Sequence, residues 1–132
     1  MFELESKKYN IFISHNGKKE EEYSRFEEKL TSAHNFEFDN YSTPEEDKTT
    51  DESIEKQISP VGSVIILSGL YNKYKNIIQK QVDIAVKLNK PILLIRPFGM
   101  ENISPELEKI AEDVVGWNVP CIVDAIEENY QE

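Results

Sequence analysis

The sequence predicts an α/β fold, an open and mostly parallel sheet with helices on both faces. Three observations lead there. Strand-like and helix-like segments alternate five times along 132 residues. Two strand segments, 63–68 (SVIILS) and 92–95 (ILLI), are almost wholly apolar, as strands covered on both faces are. The stretches between them carry apolar residues at the helical period rather than at period two. At the usual ~100–200 residues per domain, the length corresponds to one domain over 1–132. Neither an internal repeat nor a linker divides it.

Residues 9–14 (YNIFIS) form a short run of aliphatic and aromatic side chains stopped by Ser-His-Asn-Gly, a buried first strand. From 18 to 32, Tyr23, Phe26 and Leu30 recur at helical spacing, while Glu20, Glu21, Glu22, Glu27 and Glu28 fill the remaining positions as a solvated face. Residues 36–38 alternate like a half-covered strand, and 40–50 is polar. Within that loop Thr43, Pro44 and Glu46 have the spacing of a capping box, which predicts a brief helical turn. Ile54 and Ile58 lie four apart in a helix over 51–59 that ends before Pro60. The third strand is 63–68. A helix over 76–89 follows, periodic through Ile77, Ile78, Val82, Ala85 and Leu88, and Lys90-Pro91 leads into the fourth strand at 92–95. Ser104-Pro105 is a helix-start pair with an apolar face of Leu107, Ile110, Ala111 and Val114. Residues 115–117 make a weak last strand and 120–130 the last helix.

Composition narrows the function. Lys and Arg total 15 against 25 Asp and Glu, a formal charge of −10, and such a field repels phosphate backbones, so nucleic acid is not expected as a partner. The single cysteine, Cys121, cannot form an intrachain disulfide, and residues 1–5 lack the basic start and apolar stretch of a signal peptide. These features fit a reducing cytoplasm. No apolar run approaches the ~20 residues of a membrane helix, so no membrane partner is expected. His15 and His34 have no cysteine or carboxylate neighbours at metal spacing, and no metal site is expected. Cys121, at the opening of the last helix, reads as a small buried side chain rather than a nucleophile. Trp117 reads as a core or rim aromatic.

In open parallel sheets ligands bind beyond the carboxyl ends of the strands, which here means segments 14–18, 39–47, 68–76 and 96–103. Ser14-His15-Asn16-Gly17 either presents free backbone N–H groups to a phosphate or is a strand-to-helix turn in which Ser or Asn caps the helix. It is neither G-x-G-x-x-G nor a Walker lysine loop. Gln81 shares the apolar face of Ile77, Ile78, Ile84 and Ala85. Two readings stand for it: an amide bonded to backbone at the margin of the core, or a polar group facing the 68–76 loop.

Five ordered blocks carry a resemblance: 9–16 (YNIFISHN), Asn40-Tyr41-Ser42 with Pro44, 79–85 (QKQVDIA), Lys90-Pro91-Ile92, and Val115-Gly116-Trp117-Asn118. Together, from about residue 9 to 127, they resemble TIR-like domains, most closely those of bacterial Thoeris antiphage systems. The resemblance implies a flavodoxin-like, five-stranded parallel sheet. It implies a protein that cleaves the nicotinamide–ribose bond of NAD and makes a cyclic ADP-ribose-type signal for a partner effector. NAD is then a substrate rather than a resident cofactor, and homotypic assembly is a further implied partner relation. It also implies Ser14, His15, Asn16, Tyr41, Ser42, Tyr71, Ile77 and Phe98 around the nucleotide.

The sequence departs from that family at its chemistry. The glutamate that such enzymes place beside the ribose aligns with Gln81, the aromatic four residues earlier with Ile77, the Trp after His-Asn with Gly17, and a Pro-Trp pair with Pro97-Phe98. Loss of nicotinamide leaves positive charge on the ribose, and removing one group aimed at such charge typically costs about 10²–10³ in rate. Reduced or abolished turnover is therefore expected, whether the glutamine is natural or replaces a glutamate. Two other classes compete. One is a non-catalytic TIR interaction module. The other, a phosphoacceptor receiver, needs clustered acids after the first strand and an aspartate after the third, where Ser14-His15 and Ser68-Gly69 stand instead.

Overall fold

The strands that carry the most apolar sequence are the ones the fold buries deepest. The computed structural model describes residues 7–44, 49–97 and 102–132. Its strands are β1 (Lys8–Ile13), β2 (Glu37–Asn40), β3 (Ser63–Leu67), β4 (Ile92–Ile95) and β5 (Asp113–Val115). Its helices are α1 (Glu21–Thr31), α2 (Asp51–Ile58), α3 (Ser68–Lys73), α4 (Lys75–Lys87), α5 (Pro105–Ile110) and α6 (Val119–Asn129). The sheet runs β2-β1-β3-β4-β5 with every pair parallel. This is the flavodoxin-like order. Every residue of β3 and β4 is buried, whereas the edge strands β2 and β5 are not, which matches their mixed sequences.

Helices cover the sheet because each has one apolar stripe. Tyr23, Phe26 and Leu30 of α1 are buried, and α1 packs with α6 through Ile122, Ala125 and Ile126 of the latter. Ile54 and Ile58 of α2 and Ile78, Val82 and Ala85 of α4 join the same core from a second helix pair, and α3 touches both α1 and α4. Helix starts are set locally. The Thr50 hydroxyl accepts from Ser53 N–H at 3.2 Å, and the Asn118 side chain accepts from Cys121 N–H at 3.1 Å. No helix among the described residues is long and apolar enough to cross a membrane.

Four local expectations need correction. Residues 68–73 are helical rather than a loop, because Leu70 and Tyr71 turn inward to be buried over a run too short to show a period. Helix α5 ends at Ile110. Val114 belongs instead to β5 beside Leu94, since Ala111 is already extended and Glu112 N–H donates to Ile92 O at 2.8 Å. Consequently β5 precedes Gly116-Trp117 instead of including them. Cys121 is exposed, because the buried face of α6 passes through Ile122, Ala125 and Ile126. Of the capping box at Thr43-Pro44, Glu46 lies outside the described residues, as does Phe98.

Candidate functional site

The strand order reverses between β1 and β3, and the chain leaves these neighbours in opposite directions, opening a crevice at their carboxyl ends. Ser14, the first residue past β1, is fully buried there. Its N–H donates to Ile65 O at 2.9 Å, and its hydroxyl accepts from Leu67 N–H at 3.0 Å. The side chain thus extends the β1–β3 ladder by one rung.

His15 is also fully buried, and each of its polar groups is engaged. Gly17 N–H donates to Nδ1 at 3.0 Å. Nδ1 is therefore an acceptor, so Nε2 carries the proton and donates to Gln57 Oε1 at 3.0 Å. Gln57 Oε1 accepts a second bond from Thr43 N–H at 3.0 Å, while Gln57 Nε2 donates to Ser53 Oγ at 3.1 Å. One amide on α2 thereby joins the loop after β1 to the loop after β2. Burial holds the imidazole below its ordinary 6.5, with the Gln57 contact acting in the opposite direction. Gly17 closes the turn at φ 88°, a conformation glycine adopts without a side-chain clash.

Gln81 supports the same residue from α4. It is 0% exposed; its Oε1 accepts from His15 N–H at 3.1 Å, and its Nε2 donates to His15 O at 2.6 Å. The amide matches a peptide unit, one donor against one acceptor on each side. A carboxylate would set two acceptors against one donor and one carbonyl. Of the two readings of Gln81, the backbone-bonded amide is the one built here.

The other predicted residues separate into distinct settings. Asn16 is half-buried and its Oδ1 accepts from Lys18 N–H at 3.1 Å, so it shapes its own turn. Ser42 is buried in a closed ring: Tyr23 O–H donates to Ser42 Oγ at 2.6 Å, Ser42 Oγ donates to Asn40 Oδ1 at 2.6 Å, and Asn40 Nδ2 donates to the Tyr23 oxygen at 2.7 Å. Tyr41 is exposed at 37%. Tyr71 is buried and its O–H donates to Gln79 Oε1 at 2.6 Å. Ile77 lines a separate depression of about 430 Å³ along 72–77. Ser14, His15, Gln81 and, through Gln57, the Thr43 backbone are thus brought together, whereas Tyr71 and Ile77 are engaged elsewhere.

A cavity of about 310 Å³ opens at this same end, lined by Glu20, Glu21, Glu22, Arg25, Leu70, Lys73 and Trp117. Its walls come from the segments that follow β1, β3 and β5. Sequence reasoning placed the binding residues in the loops and did not single out this wall. Glu22 departs from the solvated face assigned to the acidic run: it is half-buried, and a Cβ added to Gly69 would lie 2.5 Å from both of its carboxylate oxygens. Ser68, at the carboxyl end of β3, is fully buried with no partner for its hydroxyl among the described residues. Gln57 could have been found in the sequence, since it shares the apolar face of Ile54 and Ile58 just as Gln81 shares that of Ile78. A larger cavity, about 610 Å³, lies at the opposite end of the sheet beside Pro91, Ile92 and Glu112.

The family described as Thoeris protein ThsB, TIR-like domain, matches residues 12–102, from within β1 to a few residues before α5. No curated protein matches the chain. The match takes in both sides of the β1/β3 switch point, the His15 turn and all of α4, on an all-parallel sheet of flavodoxin-like order. The chain belongs to the family of Thoeris ThsB TIR-like domains.

Proposed function

We propose that this protein serves a Thoeris-type antiphage system by recognising NAD or an ADP-ribose-type nucleotide at the crevice between β1 and β3, and that it cleaves the nicotinamide–ribose bond slowly or not at all. One observation carries the reading. The group at position 81, on the helix that flanks the crevice, is a neutral amide whose donor and acceptor are both held by the His15 peptide. Departure of nicotinamide leaves an electron-poor ribose, and a catalyst must meet that charge with a preorganised negative group. Gln81 offers none. What the neighbouring residues supply is position: Ser14, His15 and Gln57 fix the two loops that a nucleotide at a switch point would contact. A cyclic ADP-ribose-type product, if formed, is the signal passed to an effector protein, and the work is assigned to the cytoplasm.

A second reading, a non-catalytic interaction module, is favoured by the fit of the amide itself. Position 81 serves the fold in its own right, whether or not a nucleotide binds. Incubation with NAD separates the two. Calorimetry and mass spectrometry of nicotinamide release are expected to show saturable binding with little release. Absence of saturable NAD binding, with self-association rising with concentration, would replace the nucleotide reading by the interaction module.

A further inference from the structure

We infer that the outer edge of β2 is a docking site for an extended segment of a partner protein, in which an aromatic residue stands between two lysines or arginines. Such a segment adds a sixth strand to the sheet. The ladder sets which backbone groups are available to it. Tyr41 N–H donates to Ile11 O at 2.8 Å, and β1 and β2 run parallel with Tyr9 beside Phe38 and Asn10 beside Asp39. Successive residues of a strand turn their N–H and C=O groups to alternate sides, so Asp39 and Tyr41 face β1 while Phe38 and Asn40 face away from it. The outward N–H and C=O groups of Phe38 and Asn40 meet no partner among the described residues. The opposite edge of the sheet is blunted: on β5 the Asp113 carboxylate accepts from Val114 N–H at 2.9 Å and occupies a donor that a further strand would need. Docking at β2 is independent of nucleotide capture, since its outer edge faces away from the crevice between β1 and β3.

Side chains at that edge specify what fits. Rings run across the sheet in one row: Tyr130 meets Tyr9 edge-on at 4.8 Å, Tyr9 stacks on Phe36 at 5.3 Å, and Phe36 on Phe38 at 5.9 Å. The row ends at the half-buried Phe38 on the edge strand. A residue beside Phe38 on an added strand stands on the same face of the sheet, so an aromatic ring there continues the row. Glu37 and Asp39 alternate to the opposite face, and both are exposed. Asp39 pairs with Lys8 at 3.4 Å in solvent, a contact that contributes little, and Glu37 has no cationic partner among the described residues. The residues flanking the aromatic on the added strand stand beside these two acids, where Lys or Arg forms opposite-charge pairs. The same acids disfavour a second copy as the occupant, because joining two β2 edges sets Glu37 and Asp39 against their own like charges. The formal charge of −10 on the whole chain extends the preference for a basic partner beyond contact range.

The probes are two capped peptides, Val-Lys-Phe-Lys-Val-Thr and Val-Glu-Phe-Glu-Val-Thr, each titrated into the full chain while backbone amide shifts and hydrogen exchange are followed by NMR. In the free chain the outward amides of Phe38 and Asn40 are expected to exchange quickly, and those of Asp39 and Tyr41, bonded to β1, slowly. Saturation with the basic peptide is expected to slow Phe38 and Asn40 about tenfold or more and to leave Asp39 and Tyr41 as they were. The acidic peptide is expected to bind roughly tenfold more weakly, the scale of two cross-strand charge pairs turned from attraction to repulsion. Glu37→Lys, at an exposed position, is expected to weaken the basic peptide and strengthen the acidic one, an inversion that loss of the fold cannot produce. Equal affinity of the two peptides, no binding of the basic one at millimolar concentration, or its binding with Phe38 and Asn40 still unprotected would overturn the proposal. Protection of these two amides in the free chain would overturn it too, assigning the edge to a second copy if it rises with protein concentration and to the chain itself if it does not.

Discussion

Replacing Gln81 by glutamate tests the amide pairing directly. In Gln81→Glu the acceptor facing His15 N–H survives, but the donor facing His15 O, now at 2.6 Å, is lost. An orphaned buried carbonyl costs about 1–3 kcal/mol, and an ionised carboxylate without water adds to that, for a total of about 2–4 kcal/mol near pH 8. A protonated carboxyl, by contrast, donates to His15 O and accepts from His15 N–H much as the amide does. The fold therefore raises the pKa of the new side chain. Between the unfolded and the raised value the folded state binds more protons than the unfolded chain, so the variant loses stability as pH rises, by up to about 1.4 kcal/mol per unit. Urea unfolding of parent and variant from about pH 5 to pH 8 reads the difference, in which changes common to both proteins cancel. A deficit that grows with pH is expected, with a melting point lowered by roughly 10 °C at the alkaline end. A deficit independent of pH, or none at pH 8, would refute the pairing.

Three further outcomes follow from the same turn. Because burial depresses the His15 pKa, its neutral form contributes stability above the ordinary 6.5 that is lost as pH falls through the folded value; an imidazole NMR titration with its midpoint below 6.5 is expected, and Gln57→Leu should lower the midpoint further while costing about 2–3 kcal/mol through the stranded Thr43 N–H and His15 Nε2–H. A His15 midpoint at or above 6.5 in the parent contradicts this. Gly17→Ala places a Cβ at φ 88° and is expected to cost about 1–2 kcal/mol in urea unfolding; parental stability would show that the turn tolerates a side chain.

The sequence revealed the layers better than the contacts. Strands β3 and β4 are legible because a strand buried on both faces can hold almost nothing polar, and α1, α2 and α4 because each has to bury one stripe. Helix α3 was hidden because six residues beginning Ser-Gly give no period, and β5 because a three-residue edge strand is held by Ile92 and Arg96 more than by its own side chains. At the site, Gln81 stood out as a polar residue among aliphatics, but the spacing within α4 could not reveal that its partner is a peptide 66 residues away. Gln57 gave the same signal and was missed. The cavity at Trp117 was illegible for another reason. Glu22 and Trp117 belong to segments far apart in the chain, and only the order of strands sets them on one wall.

The ring formed by Tyr23, Ser42 and Asn40, and the His15–Gln57 pairing beside it, are built from neutral groups, and Asn40 Nδ2 also donates to the Glu27 carboxylate at 2.9 Å. Ion pairs such as Lys80–Asp51 and Lys87–Glu55 lie on the outside, where dissolved electrolyte weakens them. The neutral bonds at the carboxyl ends of β1 and β2 are thus less sensitive to ionic strength than the peripheral pairs, and contacts such as Asn40–Glu27 are where salt reaches them. A salt dependence of ligand capture then reports first on the ligand's own charge, and only through contacts such as Asn40–Glu27 on the scaffold.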